Sequence, residues 1–579
     1  MTRARRSPAG AHPGSATVAP SAASRPAAPI AHHAFVIALV VCTAWAAYLR
    51  LHALTAYPPG LDADEAIGAW IARCLSVTGH DPQGVAWPVF YTRGIGDFPT
   101  MLGFYVLIPF QRALGMSVMS TRLPGALAGT LAVPLIAAVG ARVFGRRAGL
   151  LAAALLAADP WGVFLSRFGV GASLCVFQML LVLALLLAAG APVADAPPGG
   201  ERTPRARWWL ALLAGLAGGL ACYGFHPMRL WVPALALGLL VLHAPRVRRE
   251  WHAQRASLIA LTLALAATAG PLLWSQLRDP NGLARWQMTR LWEPGASLAR
   301  IAALVGQRYA MHFGPRALFV VGDPYSVTNP GLTGPFSWWL LPLLVAGLIF
   351  AVRRARGSAS ARTLLLLVAI GPIGDIVSRY DGMHALRDAP ALAAWLLLAA
   401  YGAVSLSSAL APRLGRLATA LVAVPLLAAG ARDAAQLARV SSTSSQLSEI
   451  YHGYSVDLLQ AVPAIRSALA QRHDVYVTTT GDAQPLYVLL VALDYDPRQW
   501  FRDAHMTRAG AYDEALLAGH LHFLYGDAWQ ARLDSLRANG KPDSLLLVVR
   551  AGEYPTDSTA VAIHSPDGRD VLRIARVIW

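Results

Sequence analysis

Residues Thr121–Leu151 read TRLPGALAGTLAVPLIAAVGARVFGRRAGLL. An apolar run long enough to cross about 30 Å of hydrocarbon ends in Arg142, Arg146 and Arg147, and a second apolar run begins at once. This is the pattern of a span, a basic turn and a returning span. The alternation recurs along the chain, with apolar stretches near 34–54, 121–141, 148–165, 170–190, 208–224, 228–244, 256–275, 335–352, 363–378, 385–406 and 413–430. About eleven membrane helices are predicted.

Composition agrees. Of 579 residues, 55% are hydrophobic and 14% charged, where a soluble domain carries about a quarter charged residues. The formal charge of +17 comes almost wholly from arginine, since Lys541 is the single lysine. Those arginines sit in short loops between apolar runs, which suits an anionic membrane surface and excludes a nucleic-acid groove. Cys42, Cys74, Cys175 and Cys222 show no metal-type or disulfide spacing.

Sidedness follows from the basic loops. With the N-terminus inside, clusters such as Arg246/Arg248/Arg249/Arg255 and Arg353/Arg354/Arg356/Arg362 all face the cytoplasm, as the positive-inside rule requires. The stretch 98–113, broken by Pro99 and Pro109, then reads as an interfacial helix, because a further span there would invert every later loop. Residues 1–33 read as a disordered basic cytoplasmic tail and 34–430 as the membrane domain. The segment 431–579 turns polar and reads as a small α/β domain on the outer face, with strands at Val475–Val477, Leu521–Tyr525 and Leu545–Val549 and helices at Val456–Ala470 and Gln484–Leu493. Multi-pass insertion in a bacterial inner (plasma) membrane is the expected location.

Chemistry concentrates in the first outer loop, Tyr57-Pro58-Pro59-Gly60-Leu61-Asp62-Ala63-Asp64-Glu65-Ala66. Three carboxylates in four residues suit two roles. They can cap a helix that starts here, or one of them can act as a general base on a hydroxyl at the membrane surface. Spacing alone leaves both open. At other outer span ends stand Arg167, Arg229, Arg379-Tyr380-Asp381 and His384 to Asp388, where ion pairing competes with phosphate binding. Gly481-Asp482 follows a strand without a phosphate-cradling glycine loop.

Together, Pro58-Pro59-Gly60 with Asp64-Glu65-Ala66, Thr78-Gly79-His80-Asp81, Arg122-Leu123-Pro124-Gly125, Phe144-Gly145-Arg146-Arg147, Asp159-Pro160-Trp161 and His384-Ala385-Leu386-Arg387 resemble the GT-C glycosyltransferases. The likeness is to the family 39, dolichyl-phosphate-mannose protein mannosyltransferase and aminoarabinose transferase-like group, and it covers roughly 35–430. It implies a polytopic GT-C fold and inverting transfer of a sugar from a polyprenyl-phosphate donor to an acceptor hydroxyl on the outer face. It further implies Asp64 as the base with Glu65 beside it. Among the residues at outer span ends, Arg387 and Arg167 rank first as donor-phosphate ligands and Arg229 and His384 next, because the planar guanidinium fork offers phosphate two parallel donors. Asp62, Asp159 and Asp97 remain as second acids or acceptor contacts, because relatives carry an aspartate shortly after the arginine of the second outer turn and Arg167 is followed by none. A divalent metal is left open for the same reason, and no other cofactor is implied. Partners are the lipid-linked sugar, membrane lipid, and a protein, lipid or glycan acceptor. Two other classes fit multi-span chains, a transporter and a non-catalytic anchor presenting the C-terminal domain. The first requires mid-span charges and repeated halves, and the second gives no reason for polar clusters at outer span ends.

Overall fold

The computed structural model describes residues 31–579 apart from 93–98, 196–205, 280–282, 326, 332, 444–446, 479–484, 510–511, 518, 525–527, 540–543, 554–559 and 579. Asp97 and Gly481-Asp482 lie outside the described residues.

Helix α1 (His32–Leu51) is followed by α2 (Ala63–Thr78) and α3 (Leu102–Leu114). Next come α4 (Val118–Phe144), α5 (Arg146–Ala158) and α6 (Pro160–Arg167), the last two forming one apolar unit bent by 57°. Pro160 causes the bend, since its ring cannot continue the α5 ladder, and Asp159 restarts the helix by accepting from Gly162 N at 2.8 Å. Then follow α7 (Cys175–Ala188), α8 (Trp208–Ala221), α9 (Met228–Arg249) and α10 (Trp251–Arg278). Helices α11 (Ala284–Thr289) and α12 (Leu298–His312) lie in the long segment between α10 and α13 (Leu341–Arg354), which is followed by α14 (Ala359–Ile370), α15 (Ala389–Leu414) and α16 (Arg416–Thr443).

All eleven apolar stretches are helical, but they differ in length. Among the described residues, seven helices are long and apolar enough to cross a membrane, α7 being counted with the 3-10 turn Gly171–Leu174 that leads into it, and the bent α5–α6 pair makes eight. Helices α8, α13 and α14 have 14, 14 and 12 residues, and α14 passes at Pro372 into a 3-10 turn. Helix α3 has 13 residues, a length of about 20 Å, too short to cross. The chain is thus a multi-span membrane protein. Helix α15 runs through the bundle centre, apolar on all sides and buried from Ala389 to Tyr401 but for the half-buried Trp395. Helices α4 and α5 meet through glycines: a Cβ on Gly140 would lie 2.8 Å from Gly149 Cα.

The C-terminal unit carries strands β1 (Asp474–Thr478), β2 (His505–Ala509), β3 (Tyr512–Leu517), β4 (Leu521–Leu524), β5 (Ser544–Arg550), β6 (Val561–His564) and β7 (Asp570–Ile578) in one sheet of order β2-β3-β4-β1-β5-β7-β6. Strand β1 runs parallel to β4 and β5, while the outer pairs are antiparallel. Helices α17 (Ser448–Gly453), α18 (Val456–Ala470), α19 (Pro485–Ala492), α20 (Pro497–Asp503) and α21 (Ala528–Ala538) complete it. This domain shares a core with the segment that follows α1. Trp70 of α2, fully buried, packs edge-on against Trp500 with ring centroids 5.5 Å apart, and Trp500 Nε1 donates to Pro82 O at 3.0 Å. Burying both indoles ties the sheet to the segment that carries the acidic motif.

Candidate active site

The acidic motif divides its labour. Asp62 is the N-cap of α2: its carboxylate accepts from Asp64 N at 2.8 Å, while its own N–H donates to Glu65 Oε2 at 3.2 Å, a capping box. Burial, reinforced by the neighbouring Asp64 and Glu65 carboxylates, pushes Asp62 well above the usual carboxylate range. Glu65 is fully buried and receives two parallel bonds from Arg122, Nε to Oε1 at 2.8 Å and Nη2 to Oε2 at 2.7 Å. Gly169 N adds a third bond at 2.7 Å. Arg122 spends its other donors on the carbonyls of Leu54, Pro58 and Gly60. Glu65 is therefore the keystone of the loop, with its oxygens already occupied.

Asp64 is the exposed member of the three. It lines a cleft of about 130 Å³ between Ile67 and Gly68 of α2, Phe104 of α3, the 169–171 turn and His226. On the other side of α3, an apolar groove of about 760 Å³ runs between α3, α4, α7 and α8, lined by residues such as Val106, Phe110, Leu127, Leu181 and Leu216. A carboxylate at the rim of a cleft beside an apolar groove suits a ligand with a polar head and a long apolar tail.

The arginines separate into distinct roles. Arg167, 2% exposed, donates to the carbonyls of Leu49, Arg50, His52, Ala53 and Tyr57 at 2.7–3.2 Å. It closes the C-terminal end of α1, and all three of its nitrogens are engaged. The expectation of a phosphate ligand there meets a structural reason against it: the last carbonyls of a helix need donors, and Arg167 supplies them. Arg229 stands at the start of α9, three residues after His226. Its Nε donates to Cys222 O at 3.4 Å, and its Nη2 is buried with no hydrogen-bond partner. Asp159 is buried as the N-cap of α6 and is absent from the lining of the Asp64 cleft.

A second polar cluster is built around Asp375, just after α14. Its Oδ2 accepts from Arg308 Nη2 at 3.0 Å, His312 Nε2 at 2.9 Å and His384 N at 3.1 Å, and its Oδ1 accepts from Ser378 Oγ at 3.0 Å. Arg387 reaches Ser378 Oγ at 2.9 Å and Asp375 Oδ1 at 3.6 Å and lies over the Tyr380 ring. His384 stacks on that ring with centroids 4.5 Å apart and has Asp323 Oδ2 3.7 Å from its Nδ1. Burial opposes a charged His312, but hydrogen bonds to Asp375 and Asp388 outweigh it and hold the imidazole up at about 10. Burial pushes Asp388 up to about 7 against the pull of His312. It acts on Asp375 in the same sense, but His312 and Arg308 hold that carboxylate below its usual value.

This cluster adjoins the Asp64 cleft. Gly374 abuts Pro227, where an added Cβ would fall 2.3 Å from Pro227 Cβ, and Pro227 follows the cleft residue His226. Sequence reasoning singled out Arg387 and His384 but missed Arg308, His312 and Asp375. Arg308 and His312 do share one face of α12 at i, i+4 spacing, which is a usable signal. Their partner, however, lies more than sixty residues away.

Comparison with known proteins comes down to fold. The sequence profile of the dolichyl-phosphate-mannose-protein mannosyltransferase family matches residues 99–274. No curated protein matches the chain by sequence. Among solved structures, ArnT from Cupriavidus metallidurans is similar at 15% identity in its apo state, with a TM-score of 0.54, covering 94% of this chain and 98% of that one. The same protein bound to undecaprenyl phosphate gives a TM-score of 0.53 over the same shares. The Archaeoglobus fulgidus oligosaccharyltransferase in its apo form gives 0.50 at 14% identity, covering 80% of this chain and 64% of that one. The chain has the GT-C fold, with a small sheet domain at its C-terminus.

Proposed function

We propose that this chain is a membrane glycosyltransferase that moves a sugar from a polyprenyl-phosphate donor to an acceptor hydroxyl. The observation that carries the reading is the junction at α3: the cleft lined by Asp64 and His226 on one side and the apolar groove of about 760 Å³ on the other. The groove takes the polyprenyl chain, and the cleft takes the sugar and phosphate. The solved relative that binds undecaprenyl phosphate, and the family profile over 99–274, support the same donor class.

In the proposed reaction the Asp64 carboxylate accepts the proton of the acceptor hydroxyl as its oxygen attacks the anomeric carbon. The bond from that carbon to the phosphate oxygen breaks, the polyprenyl phosphate leaves with the electron pair, and attack opposite the leaving group inverts the centre. Arg229, whose Nη2 is buried without a hydrogen-bond partner beside the cleft residue His226, is the first-ranked phosphate ligand. Arg387 and His384 follow behind the Gly374–Pro227 contact. A planar guanidinium held in place stabilises charge on the departing phosphate without reorganising. The run of basic loops supports a cytoplasmic N-terminus and a sheet domain on the outer face, and the core this domain shares with α2 would set it beside an incoming acceptor.

The test is transfer or hydrolysis of radiolabelled polyprenyl-phosphate sugars by purified protein in lipid, with Asp64→Asn and Arg229→Ala alongside. Sugar release by the wild type that falls by about 10²–10⁴ in Asp64→Asn supports the reading. Full activity in Asp64→Asn overturns the base assignment, and absence of both turnover and donor binding across the donor panel overturns the donor class.

A further inference from the structure

His312, Asp375 and Asp388 come from three separate segments: the end of α12, the turn after α14 and the N-cap of α15. One ligand atom from each lies within 4.8 Å of the other two, and all three residues are buried. His312 Nε2 is 2.9 Å from Asp375 Oδ2 and 3.0 Å from Asp388 Oδ2. We infer that this cluster is a site for one divalent transition-metal ion, with Zn²⁺ the best match to its donors.

The imidazole is set for the purpose. Its Nδ1 donates to the Arg308 carbonyl at 2.8 Å, which fixes the ring and turns Nε2 towards the two carboxylates. Metal-binding histidines are held in the same manner, through a hydrogen bond from the nitrogen that does not ligate. A single Nε2–H aimed at Asp375 cannot serve two carboxylates. Asp388, at 1% exposure, is left with at most a share of that one proton, 3.0 Å from its Oδ2, and with no other donor on either oxygen among the described residues. A buried carboxylate with an unfilled coordination shell, directed at a fixed nitrogen, is what an ion would satisfy.

Size agrees with this. A tetrahedral ion with bonds of about 2.0–2.1 Å sets its ligand atoms about 3.4 Å apart, so the two His312–carboxylate separations must open by about 0.4–0.5 Å. A cavity of about 10 Å³, walled by Trp161, Phe313, Met383 and Trp395, touches both His312 and Asp388. That is room for about one water as a fourth ligand. One nitrogen and two carboxylates favour zinc over magnesium, which demands six oxygen ligands. Arg308 braces the outer side of the site, bonding the carbonyls of Asp375, Tyr380 and Gly382 as well as Asp375 Oδ2. A bound ion would pin α12 and the start of α15 to the loop that carries His384 and Arg387.

The site stands independently of the transferase reading, and its test reads binding rather than turnover. Purified full-length protein, stripped with chelator, is titrated with Zn²⁺ alone, and bound metal is counted after desalting. Wild type and Asp64→Asn are expected to hold one zinc more per chain than Asp388→Asn, with Mg²⁺ failing to compete at a hundredfold excess. His312→Gln, if folded by its tryptophan fluorescence, should match Asp388→Asn. Equal zinc content in wild type and Asp388→Asn, or displacement by Mg²⁺, overturns the assignment.

Discussion

Arg122 grips Glu65 through two parallel hydrogen bonds of 2.8 and 2.7 Å, with both side chains at 0% exposure. The pair joins α4 to the start of α2, and the remaining bonds of Arg122 hold the Pro58–Gly60 bend in place. Removing one charge strands the other in a dry environment, a cost of about 3–5 kcal/mol. Glu65→Gln is expected to lower the thermal unfolding midpoint sharply in detergent and to reduce the yield of folded protein. A Glu65→Gln protein as stable as wild type but inactive would move Glu65 from the frame of the site into its chemistry.

Arg167 offers the converse case, a residue that looks like a ligand and behaves as a brace. It meets five carbonyls at the end of α1 and the turn beyond. Arg167→Lys keeps the charge but replaces the fork with a single ammonium, leaving several carbonyls unsatisfied at about 1–3 kcal/mol each. Stability should fall while the KM for donor, measured on the folded fraction, stays within about twofold of wild type. A KM raised tenfold at unchanged stability would return Arg167 to the phosphate.

Gly60 answers to two constraints at once. Its φ is +68°, and a Cβ there would lie 2.2 Å from Tyr454 O, the carbonyl that accepts from Leu61 N at 2.8 Å. Gly60→Ala must therefore break the seam between the acidic loop and α17–α18, beyond the 1–2 kcal/mol of the left-handed backbone alone. Hydrogen exchange in α18 and β1 should accelerate, with the core of α15 unaffected. Unchanged exchange in α18 would mean that the seam adjusts without cost.

The bundle was readable because each span is a local pattern: an apolar run between Arg-rich turns declares itself without knowledge of its neighbours. The strands β1, β4 and β5 were readable for the same reason, being short apolar runs buried at the centre of the sheet. Strands β2, β3 and β7 interrupt their apolar residues with charged or polar ones, as in His505–Ala509, and β6 is only four residues long, so these four escaped notice. In the site, the capping alternative correctly anticipated Asp62, because an N-cap is local too. Arg167, Glu65 and the Asp375 cluster were opaque, since their roles depend on partners from 57 to 118 positions away that no spacing rule reaches. Arginine at an outer span end has the same sequence signature whether it serves a phosphate or a helix terminus.

His522 gives the sheet domain an acid limit. It pairs with Tyr476 across β1 and β4, the rings stacked 4.2 Å apart and nearly parallel. Burial lowers its imidazole to about 4; Asp474 pulls the other way, while Arg532 and His520 add to the depression. Because the folded value lies below the unfolded one of about 6.5, protonation favours the unfolded domain. The stabilisation is complete above pH 6.5 and is lost as pH falls through 4. Allowing for partial exposure, its size is on the order of 2 kcal/mol. Amide exchange in β1 and β4 of the full-length protein should rise steeply between pH 6.5 and 4 once intrinsic exchange is divided out. His522→Phe keeps the stacked face on Tyr476 and should flatten that profile. If the variant instead retains the wild-type acid transition, the sensitivity belongs to another group.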